Sequence, residues 1–415
     1  MFTPIKILHQ LPFLRLLIFL VLGIALAFVS TNVSLGLILI VAALSGALLC
    51  TFLPPHKSYF KGFVILFATM ALGYFSNRTH LFSQSEVGTI KTLAEKANTT
   101  IGNTLATYLN TEASALCKAL CIADKTELSQ NVKKDFSRAG ASHILAVSGM
   151  HVGIIFTAIS SLLSLISKSR KFKLFGGIFS IIFLWFYAFI CGLQPSIVRA
   201  CTMFSVPIIG KLLKRDSSSF NSLLFTAFCM LVYDYTYLFN LGFQLSFLAV
   251  AGILLFQKRI FNIFPLQNKI LIWIWSLTSV SIAAQITTLP LTIYYFHSIP
   301  VLSLITNLFV VPLATLLIYF SGVLIIVQFS SLSTFISLII NKLTHFINSF
   351  IKQISDTIFA TIDNINISVF QVVILYAIIL LFYYFIISKK PATVLWILSC
   401  FILFIVYDII NLLFL

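Results

Sequence analysis

The sequence predicts an all-α fold, a polytopic transmembrane helix bundle of about 11–13 spans, one of them broken, with an interfacial amphipathic helix. Three observations carry that prediction. Sixty per cent of the 415 residues are apolar or aromatic and only 9% are charged, too few charges to clothe a protein of this size in water. Apolar runs of the roughly 20 residues that a helix needs to cross hydrocarbon recur along the chain. The net charge of +16 gathers in short clusters between those runs, KSRKFK at 168–173, KLLKRD at 211–216, QKR at 257–259 and KK at 389–390. Clusters so placed mark cytoplasmic loops rather than a nucleic-acid surface.

Spans are expected at 11–29, 33–53, 61–76, 143–167, 174–192, 196–213, 220–238, 240–256, 270–297, 299–328, 366–388 and 392–415. The first follows Lys6, includes Arg15 and lacks a small-residue cleavage motif, so it reads as a retained anchor rather than a signal peptide. From a cytoplasmic N-terminus, this order puts Lys57, Lys61 and all four basic clusters inside, provided that 299–328 enters the membrane and returns. Asn307 and Pro312 interrupt that stretch, which is either a broken helix lining a protein-enclosed or wet path or a plain span kinked at proline. Residues 77–138 form the one sizeable hydrophilic segment and fall outside the cytoplasm. They read as helical, with Asp124 and Glu127 resembling a capping box and Gly140 terminating the helix that follows. Across 331–363, Phe335, Leu338, Ile339, Leu343, Phe346, Ile347, Phe350 and Ile354 recur at helical spacing around Lys342, Lys352 and Asp356, the pattern of a helix lying in the membrane interface. With no internal repeat or flexible linker, the chain divides into N-terminal helices (1–76), an extracytoplasmic segment (77–138), a membrane core (139–330) and a C-terminal part (331–415).

Of seven cysteines, Cys50, Cys191, Cys201, Cys229 and Cys400 sit in apolar stretches as small hydrophobes do; Cys117 and Cys121, four apart on a helix, are badly placed to bridge each other. Polar residues inside the spans are more informative, because each is costly in hydrocarbon and turns toward the bundle interior. The richest patch is SHILAVSGMHVG at 142–153, with His143, Ser148, Gly149, His151 and Gly153. Its two histidines stand eight residues apart, too far for a tight two-histidine zinc site, and no carboxylate completes a ligand set; close helix packing through the small residues is the alternative. A second patch, CGLQPSIVRACTM at 191–203, holds Gln194, Ser196 and Arg199. An arginine in a span costs about 2.5–3.5 kcal/mol at the helix centre, so Arg199 needs a partner, either Asp234 or an anionic ligand. The third patch, LGFQLSFLAVAGI at 241–253, holds Gln244 and Ser246, and Gln285 and Asn307 add further amides. The chain lacks GxxxxGK followed by Ser or Thr, has almost no carboxylate within its spans and has no His/Asp cluster for a two-metal nuclease. Neither nucleotide hydrolysis nor proton-coupled transport is expected of it, and no catalytic residue, metal or cofactor is assigned.

Taken in order, FSRAGASHILAVSGMHVGI, GLQPSIVRACTM and GFQLSFLAVAGI, followed by NLFVVPL, resemble the membrane domain of the ComEC family of bacterial competence proteins, from about Ala119 to Gln328. The match covers His143, Ser148, Gly149, His151 and Gly153, then Gly192, Ser196, Arg199 and Met203, then Gly242, Gln244, Ser246 and Phe247. The resemblance implies a multi-pass channel of the bacterial cytoplasmic (inner) membrane that imports one strand of transforming DNA. It makes single-stranded DNA and the lipid bilayer the partners, with 139–330 as the channel core. His143, Ser148, Gly149, His151, Gln194, Ser196, Arg199, Gln244, Ser246, Gln285 and Asn307 are the candidates to line the path. Many members carry an oligonucleotide-binding domain in the outer segment and a C-terminal metallo-β-lactamase-like domain; 77–138 is too short and helical for the first, and the second does not follow the last span. The resemblance therefore implies a separate DNA receptor, a separate nuclease and a cytoplasmic ATP-driven motor. Two other functions fit parts of the sequence. A carrier or exporter of a small molecule or lipid uses the same buried amides; an intramembrane serine protease with Ser148 and His297 lacks the GxSxG nucleophile turn.

Overall fold

The computed structural model describes residues 11–29, 58–79, 84–166, 169–214 and 218–414, with positions 38, 41 and 45 between the first two. The expected span at 33–53, Cys50 and parts of the basic clusters at 168–173 and 211–216 lie outside the described residues. The helices are α1 (Pro12–Val29), α2 (Ser58–Thr79), α3 (Gln84–Tyr108), α4 (Thr111–Ile122), α5 (Gln130–Arg138), α6 (Gly149–Ile166), α7 (Arg170–Ile190), α8 (Pro195–Leu212) and α9 (Ser219–Tyr233). A 3₁₀ turn (Tyr235–Phe239) leads to α10 (Leu241–Phe261), which contains a π turn at Ile253–Gln257. There follow α11 (Lys269–Phe296), β1 (Ser298–Pro300), α12 (Ser303–Val327), α13 (Leu332–Ser355), β2 (Thr361–Asp363), α14 (Val369–Ser388) and α15 (Ala392–Phe414). Among the described residues, six helices are long and apolar enough to cross a membrane: α6, α10, α11, α12, α14 and α15. Shorter apolar stretches lie within α1, α2, α7 and α9. The protein is an all-helical, multi-pass membrane protein, its two short strands forming one antiparallel ribbon with Ile299 opposite Ile362.

The chain forms two compact units, one of residues 1–93, 160–185 and 198–247, the other of 94–159, 186–197 and 248–415. In the first, α1 and α2 cross antiparallel at two glycines. A Cβ on Gly23 would strike the Met70 carbonyl and one on Gly73 the Leu20 carbonyl, so the backbones touch where side chains are missing. Leu20, Ile24 and Tyr74 are fully buried, and Leu20 and Ile24 share a cluster with Met230 and Leu231 of α9.

The second unit is built on the hairpin of α12 and α13. Its core joins Val310, Ala314, Leu317 and Leu324 to Ile336, Ile340, Ile347 and Ile351 and to the apolar residues of α4. Residues 108–140 run the length of α12 in the opposite direction. At one end the Tyr108 hydroxyl donates to the Gln328 carbonyl at 2.7 Å; at the other, Gly140 lies against Pro300 and Ser303. Along α13, Asn341 Oδ1 accepts from the Asn110 N–H at 3.2 Å, and Ser355 Oγ donates to Asp135 Oδ1 at 2.9 Å. A 25-residue helix is about 37 Å long. The α4–turn–α5 stretch, expected as an outer segment, thus lies beside an apolar helix of membrane-crossing length. Ten of the twelve α4 residues are buried, and Lys118 among them pairs with Glu127 at 2.6 Å.

Several elements differ from expectation for local reasons. Asn307 and Pro312 do not break α12, which is continuous; proline removes one backbone donor, and α4 and α13 hold the helix on either side of the gap. Asp124 does not form a capping box with Glu127. Its Oδ1 accepts from the Thr126 N–H and hydroxyl, and Ser129 caps α5 instead, accepting from the Val132 N–H at 3.2 Å. Gly140 does end α5: the Ala141 N–H reaches the Phe136 carbonyl at 2.7 Å and the Gly140 N–H that of Ser137 at 3.0 Å, with φ +76° at the glycine. On α13 the protein-facing stripe is Ile336, Ile340, Ile347, Ile351 and Ile354. Phe335, Leu338 and Phe346 of the predicted stripe are exposed beside it.

Candidate functional site

Eight of the eleven candidate residues lie in the second unit. Ser148 caps α6: its Oγ accepts from the Met150 N–H at 3.3 Å, while the ring of His151, one turn on, has Nδ1 3.3 Å from both the Ser148 N–H and its hydroxyl. The histidine reaches back to the N-cap N–H as a capping-box glutamate would, while Ser148 Oγ takes the N2 rather than the N3 amide, and Gly149 is the first helical residue. His151 is fully buried and its Nε2 has no partner among the described residues. His143, in the turn between α5 and α6, is exposed and within electrostatic reach of His151. His297, named as a partner for Ser148, is elsewhere: it closes α11 in the left-handed conformation and its Nδ1 lies 3.3 Å from the Ile365 carbonyl.

The amides divide by what they reach. Gln194 Nε2 donates to the Ala123 carbonyl at 3.0 Å, an otherwise open acceptor at the end of α4. Gln285 Nε2 donates to Ser303 Oγ at 3.1 Å, tying α11 to the first turn of α12. Asn307, one turn along α12, is 8% exposed and its Oδ1 has no partner among the described residues. Ser196, half-buried in the first turn of α8, has no hydrogen bond among the described residues.

Arg199, Gln244 and Ser246 belong to the first unit. Gln244 Nε2 donates to the Leu238 carbonyl at 2.8 Å and fastens the 3₁₀ turn to α10. Ser246 is half-buried. Arg199 does not pair with Asp234. The aspartate's Oδ1 instead accepts from the Thr236 N–H at 2.9 Å and its hydroxyl at 2.6 Å. The guanidinium, 5% exposed and with Nε unpartnered, lies against the first turn of α10. A Cβ on Gly242 would stand 3.6 Å from its Nη2.

Residues that the sequence reading passed over complete the geometry. Asn240 caps α10 through Oδ1 to the Phe243 N–H at 3.1 Å, and Tyr237 stacks on Phe243 with ring centroids 6.1 Å apart. The order Asn-Leu-Gly ahead of an apolar run is a helix-start signal that marks Asn240 in the sequence. Asn98 donates from Nδ2 to the carbonyls of Ile122 and Ile190, closing two helix ends at once. Nothing in its neighbours reveals that role.

A family model described as "Competence protein" matches residues 120–390. The chain belongs to the competence-protein family. The match takes in all three motifs and continues beyond them through α13 and α14. In Bacillus subtilis, ComE operon protein 3 is 29% identical over 248 residues, 59% of this chain and 31% of that protein. An uncharacterized protein of Aquifex aeolicus is 33% identical over 135 residues, 32% of this chain and 31% of its own length. The Escherichia coli protein YcaI is 23% identical over 236 residues, 52% of this chain and 30% of YcaI. The chain thus spans about a third of the length of the curated relatives it matches. No solved structure matches it.

Proposed function

We propose that this competence-family chain forms the membrane conduit through which single-stranded DNA enters the bacterial cytoplasm during natural transformation. The family match carries the reading, because it covers the stretch in which His151, Arg199 and Asn307 stand buried in apolar helices with polar atoms unsatisfied. Such groups are costly in a membrane unless water or cargo completes them. A single-strand path needs weak contacts that tolerate any base sequence, and scattered hydroxyl, amide and cationic groups supply those. The stretch of α4 and α5 beside α12 adds Lys125, Lys133 and Lys134, each at least partly exposed, as groups able to face a wet path. The conduit would lie in the cytoplasmic membrane and work with a DNA receptor, a nuclease and an ATP-driven motor.

The test is uptake of end-labelled duplex DNA by the source bacterium with and without this gene. Nuclease-protected label in the cytoplasm is scored apart from label held outside. Loss of the internal fraction alone is the expected result. Unchanged internal label would remove DNA import from this chain and leave the carrier or exporter function to be tested in vesicles.

A further inference from the structure

The arrangement around Arg199 is electrostatically incomplete. Arg199 is 5% exposed, and its Nε has no hydrogen-bond partner among the described residues. It also stands at the wrong end of a helix. The first turn of α10 carries the positive end of the backbone dipole, and Asn240 satisfies the Phe243 N–H alone there. The Leu241 and Gly242 amides have no partner within the helix. A cation beside a helix N-terminus is repelled unless an anion lies between them, and the Asp234 carboxylate is engaged by Thr236. Gly242 has no side chain where a Cβ would stand 3.1 Å from Asn240 Oδ1, which is engaged by the Phe243 N–H, and 3.6 and 3.9 Å from Arg199 Nη2 and Nη1; Gly242 and Asn240 are exposed and Arg199 is buried.

We propose that Arg199 and the Leu241 and Gly242 amides form a binding site for one phosphate-type oxyanion. Helix amides and a guanidinium are the two donor sets that best fit phosphate oxygens. A phosphodiester of single-stranded DNA and the headgroup of an anionic phospholipid both present that chemistry. Assigning the site to the DNA backbone rests on the import reading; the anion site does not.

The test uses the full chain in phosphatidylcholine nanodiscs, with thermal unfolding followed by tryptophan fluorescence. Inorganic phosphate or oligothymidylate should raise the wild-type Tm, with the logarithm of ligand concentration once the site is filled. Arg199→Met should abolish that rise, weaken oligothymidylate binding at least about tenfold, and leave the unliganded protein as stable as wild type or more so, since an unpaired buried cation has been removed. Gly242→Ala, which keeps the charge but fills the place of the anion, should weaken binding in the same sense. Equal responses of wild type and Arg199→Met to every anion would overturn the site. So would an unliganded Arg199→Met that melts well below wild type, because Arg199 would then be a structural group. A rise with phosphatidylglycerol in the disc, in place of oligothymidylate, keeps the site and assigns it to lipid. Arg199-dependent oligothymidylate binding in a chain whose deletion leaves uptake unchanged keeps the site and removes the import function.

Discussion

Four glycines of the second unit separate backbone strain from steric collision, and alanine at each yields a different, ordered cost. Gly322, exposed on α12, has nothing within 4 Å of a would-be Cβ and an ordinary helical backbone. Alanine there should stabilise by about 0.5–1 kcal/mol through the lost flexibility of the unfolded chain. Gly192 also has open space, but its φ of +71° makes a side chain pay the left-handed strain of about 1–2 kcal/mol. Gly252 has a helical backbone, yet a Cβ would strike the Ala283 carbonyl and the Thr287 hydroxyl, which itself donates to the Leu248 carbonyl at 2.7 Å. Overpacking of that kind costs about 1–3 kcal/mol. Gly140 combines both faults, φ +76° and a Cβ driven into Pro300 and Ser303, so Gly140→Ala should cost about 2–5 kcal/mol, the sum of the two. Reversible unfolding in mixed detergent micelles reads all four. If Gly192→Ala proved as damaging as Gly140→Ala, the contact of the α5 end with the α12 start would be wrong. A destabilised Gly322→Ala would refute the open space assigned to it.

Other perturbations test separate contacts. Glu127→Gln strands the buried Lys118 ammonium and should cost about 1–3 kcal/mol, whereas Lys118→Met, alone or with Glu127→Gln, should stay within about 1 kcal/mol of wild type in the same unfolding assay. Cys117 is fully buried, so N-ethylmaleimide followed by peptide mass spectrometry should label it at least about tenfold more slowly in the native protein than in SDS. Gln244→Ala removes the donor to the Leu238 carbonyl and should lower stability by about 1 kcal/mol without changing uptake per folded molecule. Asn307→Leu deletes an unsatisfied buried oxygen and should leave stability unchanged or raised while reducing uptake, measured with labelled DNA and corrected for protein level.

The sequence locates helices well where their ends carry chemistry. The span expected at 270–297 is α11, started by Asn268, whose Oδ1 accepts from the Ile270 N–H, and stopped by His297 in the left-handed conformation. The start of α14 is similarly legible, with Ser368 and Gln371 exchanging the two bonds of a capping box. Residues 108–140 are harder to place. Their polarity indicates water, yet what puts α4 beside α12 is its buried side chains, and a one-dimensional pattern does not reveal that partner. The face of α13 fails for a related reason: apolar residues cover more than one side, and shape selects the isoleucines rather than the phenylalanines for the protein contact. Asp234 and Arg199 are both near span ends, which made them plausible partners. The deciding fact is local, because an aspartate two residues before a threonine has a closer use for its carboxylate.

Position in an apolar span does not by itself identify a lining residue. Ser148, Gln194, Gln244 and Gln285 have internal partners, and each closes a helix end, braces a turn or ties two helices together. Their polarity is accounted for before any cargo arrives. His151 Nε2, Arg199 Nε and Asn307 Oδ1 are buried without a partner among the described residues. A bilayer supplies none, so retaining such groups is a cost that packing does not explain. These three are among nine such buried side-chain atoms in the described residues, and they differ in kind, an imidazole nitrogen, a guanidinium nitrogen and an amide oxygen. A carrier fitted to one small molecule would instead gather its donors and acceptors around a single centre. Import lost in both Arg199→Met and Asn307→Leu at unchanged protein level would therefore favour successive weak contacts, and import unchanged in both would favour the carrier.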